Sequence, residues 1–226
     1  MAPVLLCDLD GTLVDTAHDL AATLNALLVQ EGLPPLSDAA VRKHVGQGAA
    51  RLIAAGFATA GRPLTEDGLN TRVAQFLESY IQAPAAHSRP YPSVVETLKA
   101  LKADGWRLGV CTNKPQAPSE TILAELDLAR FFDAVGGGDT FPVRKPNGAH
   151  LHATLELMDA TAEQAVLVGD SRPDLGAARD AGMPVVLVSY GYEQEDVASL
   201  GADRLIDSFD ALTRILPPLI TGRAAG

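Results

Sequence analysis

Short, uninterrupted apolar runs alternate along the chain with segments whose apolar positions recur at helical spacing. Val4-Leu5-Leu6-Cys7, Arg107-Leu108-Gly109-Val110-Cys111, Ala165-Val166-Leu167-Val168 and Val185-Val186-Leu187-Val188 are such runs, and Arg204-Leu205-Ile206 is a weaker one. Runs without polar alternation suit strands buried on both faces, the condition of a parallel sheet. Between them Val94, Val95, Leu98 and Leu101 share one helical face, as do Ile122, Leu123 and Leu126, and later Leu151, Leu155 and Met158. Strand–helix–strand repetition predicts an α/β fold, an open parallel sheet with helices on both faces.

One stretch breaks the rhythm. From about Thr16 to Ser88 the pattern contains no strand. Ala17, Leu20, Ala21, Leu24, Leu27 and Leu28 make a helical stripe, and Ser37 stands where an N-cap would start a second helix. A third helical pattern runs from Gly48 to Ala60. A fourth starts at Thr65-Glu66-Asp67 and carries Val73, Phe76, Leu77 and Tyr80. Residues 16–88 are therefore expected to form an all-helical insert in a discontinuous core of residues 1–15 and 89–226. Pro84 and Arg89-Pro90-Tyr91-Pro92 mark its exit.

The chain has 226 residues, 47% apolar and 20% charged, enough for a core and a solvated surface. Its net charge of −10 disfavours nucleic acid and anionic membranes as partners, so an anionic ligand would need cations or a metal placed locally. No apolar run approaches the ~18 residues that span a bilayer. The N-terminal run has no basic flank and stops at Asp8, so no signal peptide is expected and a cytoplasmic location is. Two cysteines, Cys7 and Cys111, are too few for a disulfide framework and read as buried small hydrophobes. If their strands are neighbours, the thiols are expected to face each other.

In open α/β sheets, ligands bind beyond the carboxyl ends of the strands. Those ends carry Asp8-Leu9-Asp10-Gly11-Thr12, Thr112-Asn113-Lys114-Pro115 and Gly169-Asp170-Ser171-Arg172-Pro173-Asp174, with Arg144-Lys145-Pro146 between the last two. Side-chain alternation turns Asp10 back toward Asp8, with Asp170 facing them. Carboxylates that close need a cation between them. Oxygen-only ligands suit a hard ion such as Mg²⁺.

These four motifs, in this order and spanning the whole chain, resemble those of the haloacid dehalogenase-like phosphohydrolase superfamily. The chain is most similar to its phosphoglycolate phosphatases, a likeness carried by residues 15–20, by His44-Val45-Gly46-Gln47-Gly48-Ala49 and by Gly136-Gly137-Gly138-Asp139-Thr140. The resemblance implies a Rossmann-like core with a small helical cap. It also implies a Mg²⁺-dependent phosphatase working through an aspartyl-phosphate, with a small phosphomonoester, 2-phosphoglycolate, as substrate. Asp8 would be the nucleophile and Asp10 the acid and base. Asp8, Asp170 and the backbone carbonyl of Asp10 would hold Mg²⁺. Asp174 would orient Lys145 or a metal-bound water, Thr112 and the Asn113 N–H would bind phosphoryl oxygens, and Lys145 would neutralise charge.

A formal charge count leaves such a site about two positive charges short, so further donors are expected, with Lys114 and Arg172 as candidates. For both, a solvated surface cation is the competing reading. In the cap, the Gly46-Gln47-Gly48 turn opens a helix and offers free N–H groups to a carboxylate, with Arg51 one turn in. Lys43 and His44 flank it, and His18 reads as a helix-start residue. Asn147 replaces the Asp usual after Lys145-Pro146 and can cap the next helix as well. The same fold also hosts sugar-phosphate phosphatases, such as those acting on N-acetylmuramic acid 6-phosphate, and β-phosphoglucomutase-like mutases. Net phosphate release separates phosphatase from mutase. The oligomeric state, monomer or homodimer, is not encoded in these patterns.

Overall fold

Val4, Leu5, Leu6 and Cys7 are all fully buried, and they form the first strand of a sheet covered on both sides. The computed structural model describes residues 2–46, 48–193 and 196–221; Gln47 lies outside them. The chain opens with β1 (Val4–Cys7), a two-residue strand β2 (Val14–Asp15) and helices α1 (Ala17–Gln30), α2 (Asp38–Arg42), α3 (Ala49–Thr59) and α4 (Glu66–Tyr80). It returns through β3 (Arg89–Pro90) to α5 (Val94–Ala103), β4 (Arg107–Cys111), α6 (Gln116–Glu125) and β5 (Ala134–Gly136). Then come α7 (Ala149–Glu156), β6 (Ala165–Gly169), α8 (Arg172–Asp180), β7 (Val185–Val188), β8 (Arg204–Ile206) and α9 (Leu212–Thr221).

Six strands pair in the order β5-β4-β1-β6-β7-β8, every pairing parallel. The first strand in the chain is thus central, and the connections run outward from it in both directions. This reversal places a crevice at the carboxyl ends of β1 and its neighbours. Alternate residues feed two cores. Leu5, Cys7, Val110, Val166 and Val168 pack with α5, α6 and α9, while Val4, Leu6, Cys111 and Leu167 pack with α7 and α8.

The strands read from the sequence are present. β5 was not anticipated: it is three residues long, lies at the sheet edge and carries a single large apolar side chain, Val135. The cysteine expectation is overturned by register. Cys7 lies opposite Val110, so Cys111, one residue on, points to the other face. The two thiols sit in different cores, and burial pushes the Cys111 thiol up to about 12.

The helical segment α1–α4 adds its apolar stripe to the core on one side of the sheet, through Leu20, Leu24, Leu52, Ile53, Phe57, Phe76 and Tyr80. Ser37 Oγ accepts from Ala40 N and Thr65 Oγ1 from Gly68 N, the N-caps that start α2 and α4. The segment leaves and rejoins the sheet side by side, where β2 pairs antiparallel with β3. Asp19 on α1 closes this neck. Its buried carboxylate accepts from the backbone N–H groups of His87 and Ser88 and from the Ser88 hydroxyl at 2.6 Å. His18 contributes one residue earlier, its Nδ1 2.9 Å from Asp38 Oδ2 on α2.

Burial by itself would raise the Asp19 carboxyl, but the donors from Ser88 and His87 outweigh it and hold the group below the usual carboxylate range. A depressed folded-state pKa contributes stability above the unfolded value of about 3.9, and that stability is lost as pH falls through the folded value. Asp19→Asn should therefore lower unfolding free energy by about 2 kcal/mol at pH 7 in urea titrations. The gap from wild type should close on acidification below about pH 4.

Candidate active site

β1 ends at Cys7, and the next residue, Asp8, still donates its N–H to Val168 O on β6 at 2.9 Å. The chain then folds tightly back, with Leu13 N and Val14 N both bonding Leu9 O at 3.0 Å. Gly11 makes this turn possible. Its φ is +82°, and a Cβ there would lie 2.4 Å from Asp170 Oδ2. The turn delivers Asp8 and Asp10 to the sheet's carboxyl edge, next to Thr112 at the end of β4 and Asp170 at the end of β6.

Asp8, Asp170 and Asp174 each present a ligand atom within 4.8 Å of the others, and all three are buried. One ammonium serves the group. Lys145 Nζ lies 2.6 Å from Asp174 Oδ1, 2.9 Å from Asp8 Oδ1 and 2.8 Å from the Cys111 carbonyl. The second oxygen of Asp174 accepts from the N–H and hydroxyl of Ser171 at 3.1 and 2.7 Å, so this carboxylate is fully engaged in positioning. α8 begins here, and Gly169 allows the close packing, since a Cβ on it would lie 2.2 Å from Asp174 Cγ.

One cation does not neutralise three buried carboxylates. Burial, opposed by Lys145, pushes the Asp8 carboxyl up to about 6. Burial together with the Asp174 and Asp8 charges pushes Asp170 well above the ordinary carboxylate range. Asp170 Oδ2 accepts from Tyr192 N at 2.6 Å, whereas buried Oδ1 has no hydrogen-bond partner. A buried acceptor without a donor, among surplus negative charge, is the setting a divalent cation satisfies. The donor set fits such an ion, all of it oxygen.

Asp10 is placed differently. Its carboxylate is not part of the acidic cluster. Oδ1 accepts from the Thr16 hydroxyl at 2.7 Å, and both oxygens lie 3.1 Å from Lys114 Nζ. Lys114 is buried, which overturns the surface-cation reading for it; Arg172 is exposed. Thr112 is buried at the head of the same loop, its hydroxyl accepting from Lys114 N, and Asn113 Nδ2 donates to the Lys145 carbonyl at 3.0 Å. Asn147 Oδ1 accepts from Ala149 N at 2.9 Å in a turn just ahead of α7, whose N-cap position is Gly148 rather than Asn147.

Asp8, Asp10, Thr112, Asn113 and Lys114 form the floor of a cleft that α1, α3 and α4 roof with Leu20, Leu52, Phe76, Leu77 and Tyr80. His44, Gly46 and Gly48 reach this cleft. Lys43 and Arg51 do not: they line an adjoining groove with Arg144, Lys145 and Arg172. Two residues at the site were not singled out in the sequence. The Tyr80 ring lies 4.6 Å from Lys114 Nζ, and nothing separated Tyr80 from the apolar stripe of its helix. Tyr192 follows the end of β7, and the strand-end rule that picked out the aspartates would have reached it too.

The comparisons with known proteins agree with this geometry. The model of the haloacid dehalogenase-like hydrolase family matches residues 5–188. A phosphoglycolate phosphatase of Caulobacter vibrioides is 46% identical over 214 residues, covering 95% of this chain and 90% of the relative. That of Rhodospirillum rubrum is 45% identical, covering 94% and 90%. The crystal structure of a predicted phosphoglycolate phosphatase from Haemophilus somnus superposes with a TM-score of 0.87 at 34% identity, covering 95% of this chain and 98% of that one. No helix among the described residues is long and apolar enough to cross a membrane. The chain belongs to the haloacid dehalogenase-like hydrolase family and is an enzyme of it.

Proposed function

We propose that this enzyme is a Mg²⁺-dependent phosphatase that hydrolyses 2-phosphoglycolate to glycolate and phosphate. The observation that carries the reading is the pairing of two differently placed carboxylates two residues apart. Asp8 faces the acidic cluster and Lys145, while Asp10 faces the roofed cleft and Lys114. In this reading Asp8 attacks phosphorus and Asp10 serves the leaving oxygen. The names of the curated relatives support the choice of substrate.

An Asp8 oxygen attacks phosphorus and the P–O ester bond breaks, leaving an aspartyl-phosphate. Asp10 gives a proton to the departing alkoxide, then takes one from the water that attacks the same phosphorus and regenerates Asp8. Thr112 and the Asn113 N–H hold phosphoryl oxygens, and Lys145 neutralises charge on Asp8 and the phosphoryl group. Asp174 fixes Lys145 from behind. Asp8, Asp170 and the Asp10 carbonyl would hold Mg²⁺, which when bound neutralises carboxylate and phosphoryl charge. The helices over the cleft act as the cap, limiting it to a small ester.

A panel of 2-phosphoglycolate, hexose phosphates and glucose 1-phosphate, assayed for phosphate release with Mg²⁺ and with chelator, tests the reading. Phosphoglycolate should be turned over with the highest kcat/KM, and chelation should abolish release. Preferred release from a hexose phosphate, or isomer conversion without release, would count against it.

Asp8→Asn should cut kcat by about 10³-fold or more while leaving thermal melting within a few degrees. Asp174→Asn should lower kcat about 10- to 100-fold and raise the Mg²⁺ concentration needed for half-maximal rate, because Lys145 is no longer held. Full activity in either variant would contradict the role given to that residue.

A further inference from the structure

Lys114 occupies an unusual position for a lysine. Its side chain is 3% exposed, yet it lies on the wall of an open cleft. Its Nζ is equidistant, at 3.1 Å, from both oxygens of Asp10, and the face of Tyr80 lies 4.6 Å away. Tyr80 itself is held in place, its hydroxyl donating to Pro84 O at 3.1 Å and its ring stacked on Phe76. The ammonium therefore sits between an acid of the sheet edge and an aromatic face of the helical roof.

In this arrangement neither Asp10 oxygen is presented to a leaving group. Both carry the ammonium, and Oδ1 also takes the Thr16 hydroxyl. A group that is to serve a departing oxygen must have one of its own oxygens released. An anion entering the cleft beside Asp10 would draw Nζ toward itself, and the Tyr80 face can keep the cation in the cleft as it moves. A neutral leaving group offers no such counter-charge. The roof residues Leu52, Phe76 and Leu77 bring no charge to that end, and among the described residues lining the cleft the other basic side chain is that of His44.

We infer that Lys114 is a specificity-determining residue: it binds a carboxylate carried by the leaving group and, in doing so, frees Asp10 for the ester oxygen. The inference rests on the phosphatase reading above and adds to it which residue recognises the substrate's acid, and why a bare alkyl phosphate is a poor substrate. It moves carboxylate recognition from the Gly46–Gly48 turn and Arg51 to the floor of the cleft.

The test is a pair of esters of nearly equal shape, 2-phosphoglycolate and ethyl phosphate, in which a methyl group replaces the carboxylate. Wild-type enzyme should prefer the first in kcat/KM, and Lys114→Met should shrink that preference by about 30- to 100-fold, the range of one charged hydrogen bond. If both esters slow in step and the ratio survives, Lys114 is not the receptor and the assignment is overturned. If wild-type enzyme shows no preference for the carboxylate ester, the substrate reading falls with it, a result visible without any variant. Should Lys114→Met not melt cooperatively, Lys114→Gln, which keeps polarity but not charge, carries the same comparison.

Discussion

A single buried ammonium organises the catalytic edge of the sheet. Lys145 is drawn by Asp174 and Asp8 from two sides and by the Cys111 carbonyl from a third. Burial alone would make it shed its proton, but the two carboxylates outweigh that and hold it charged. Removing the ammonium itself would leave both carboxylates uncompensated in the interior, and breaking such a buried pair costs about 3–5 kcal/mol. The interaction also ties together the ends of β1 and β4 and the start of α8, through Asp8, Cys111 and Asp174. The surplus negative charge that Lys145 leaves, concentrated on Asp170, defines the one place in this cluster where a second cation belongs.

The helical roof is wired into the same edge through its neck. Tyr192 uses its backbone N–H for Asp170, while its hydroxyl accepts from Thr16 N and donates to Asp15. Arg42 of α2 lies 4.9 Å over the Tyr192 ring and pairs with Asp15. Thr16, the N-cap residue of α1, gives its hydroxyl to Asp10 instead of to its own helix. A shift of α1 or α2 is thus felt at both Asp170 and Asp10. All four tyrosines of the chain stand in this zone: Tyr91 and Tyr190 pack ring to ring at 4.5 Å, and Tyr190 donates to the Thr12 carbonyl of the catalytic turn. Their bodies fill the space between roof and sheet, and the hydroxyls of Tyr190 and Tyr192 satisfy backbone groups of the turn and of the start of α1.

Much of this was legible in the chain itself. Unbroken Val/Leu runs revealed the buried strands because burial on both faces removes any need for alternation. Asp-x-Asp-Gly, Thr-Asn, Lys-Pro and Gly-Asp-x-x-x-Asp stood out because each follows such a run, where a charged residue has no packing reason to be. The helical segment announced itself through stripes at 3.6-residue spacing and through Ser37 as a cap. β5 escaped because three residues at an edge carry too little pattern, and the facing-thiol expectation failed because a one-residue difference in register reverses the face.

The order of apolar and charged residues alone determined the class of fold, the central placing of chemistry at strand ends and the identity of the acids and the lysine that gather there. These depend on local periodicity and on the cost of burying charge, both written in neighbouring residues. Only the tertiary structure decided which partner each charge takes. It brought Lys114 onto Asp10 and gave Asp174 to Lys145, and it set Tyr80 over an ammonium and aimed Arg51 into a different groove. Those pairings join residues distant in sequence, and their geometry follows from strand register and helix packing, which no single segment encodes.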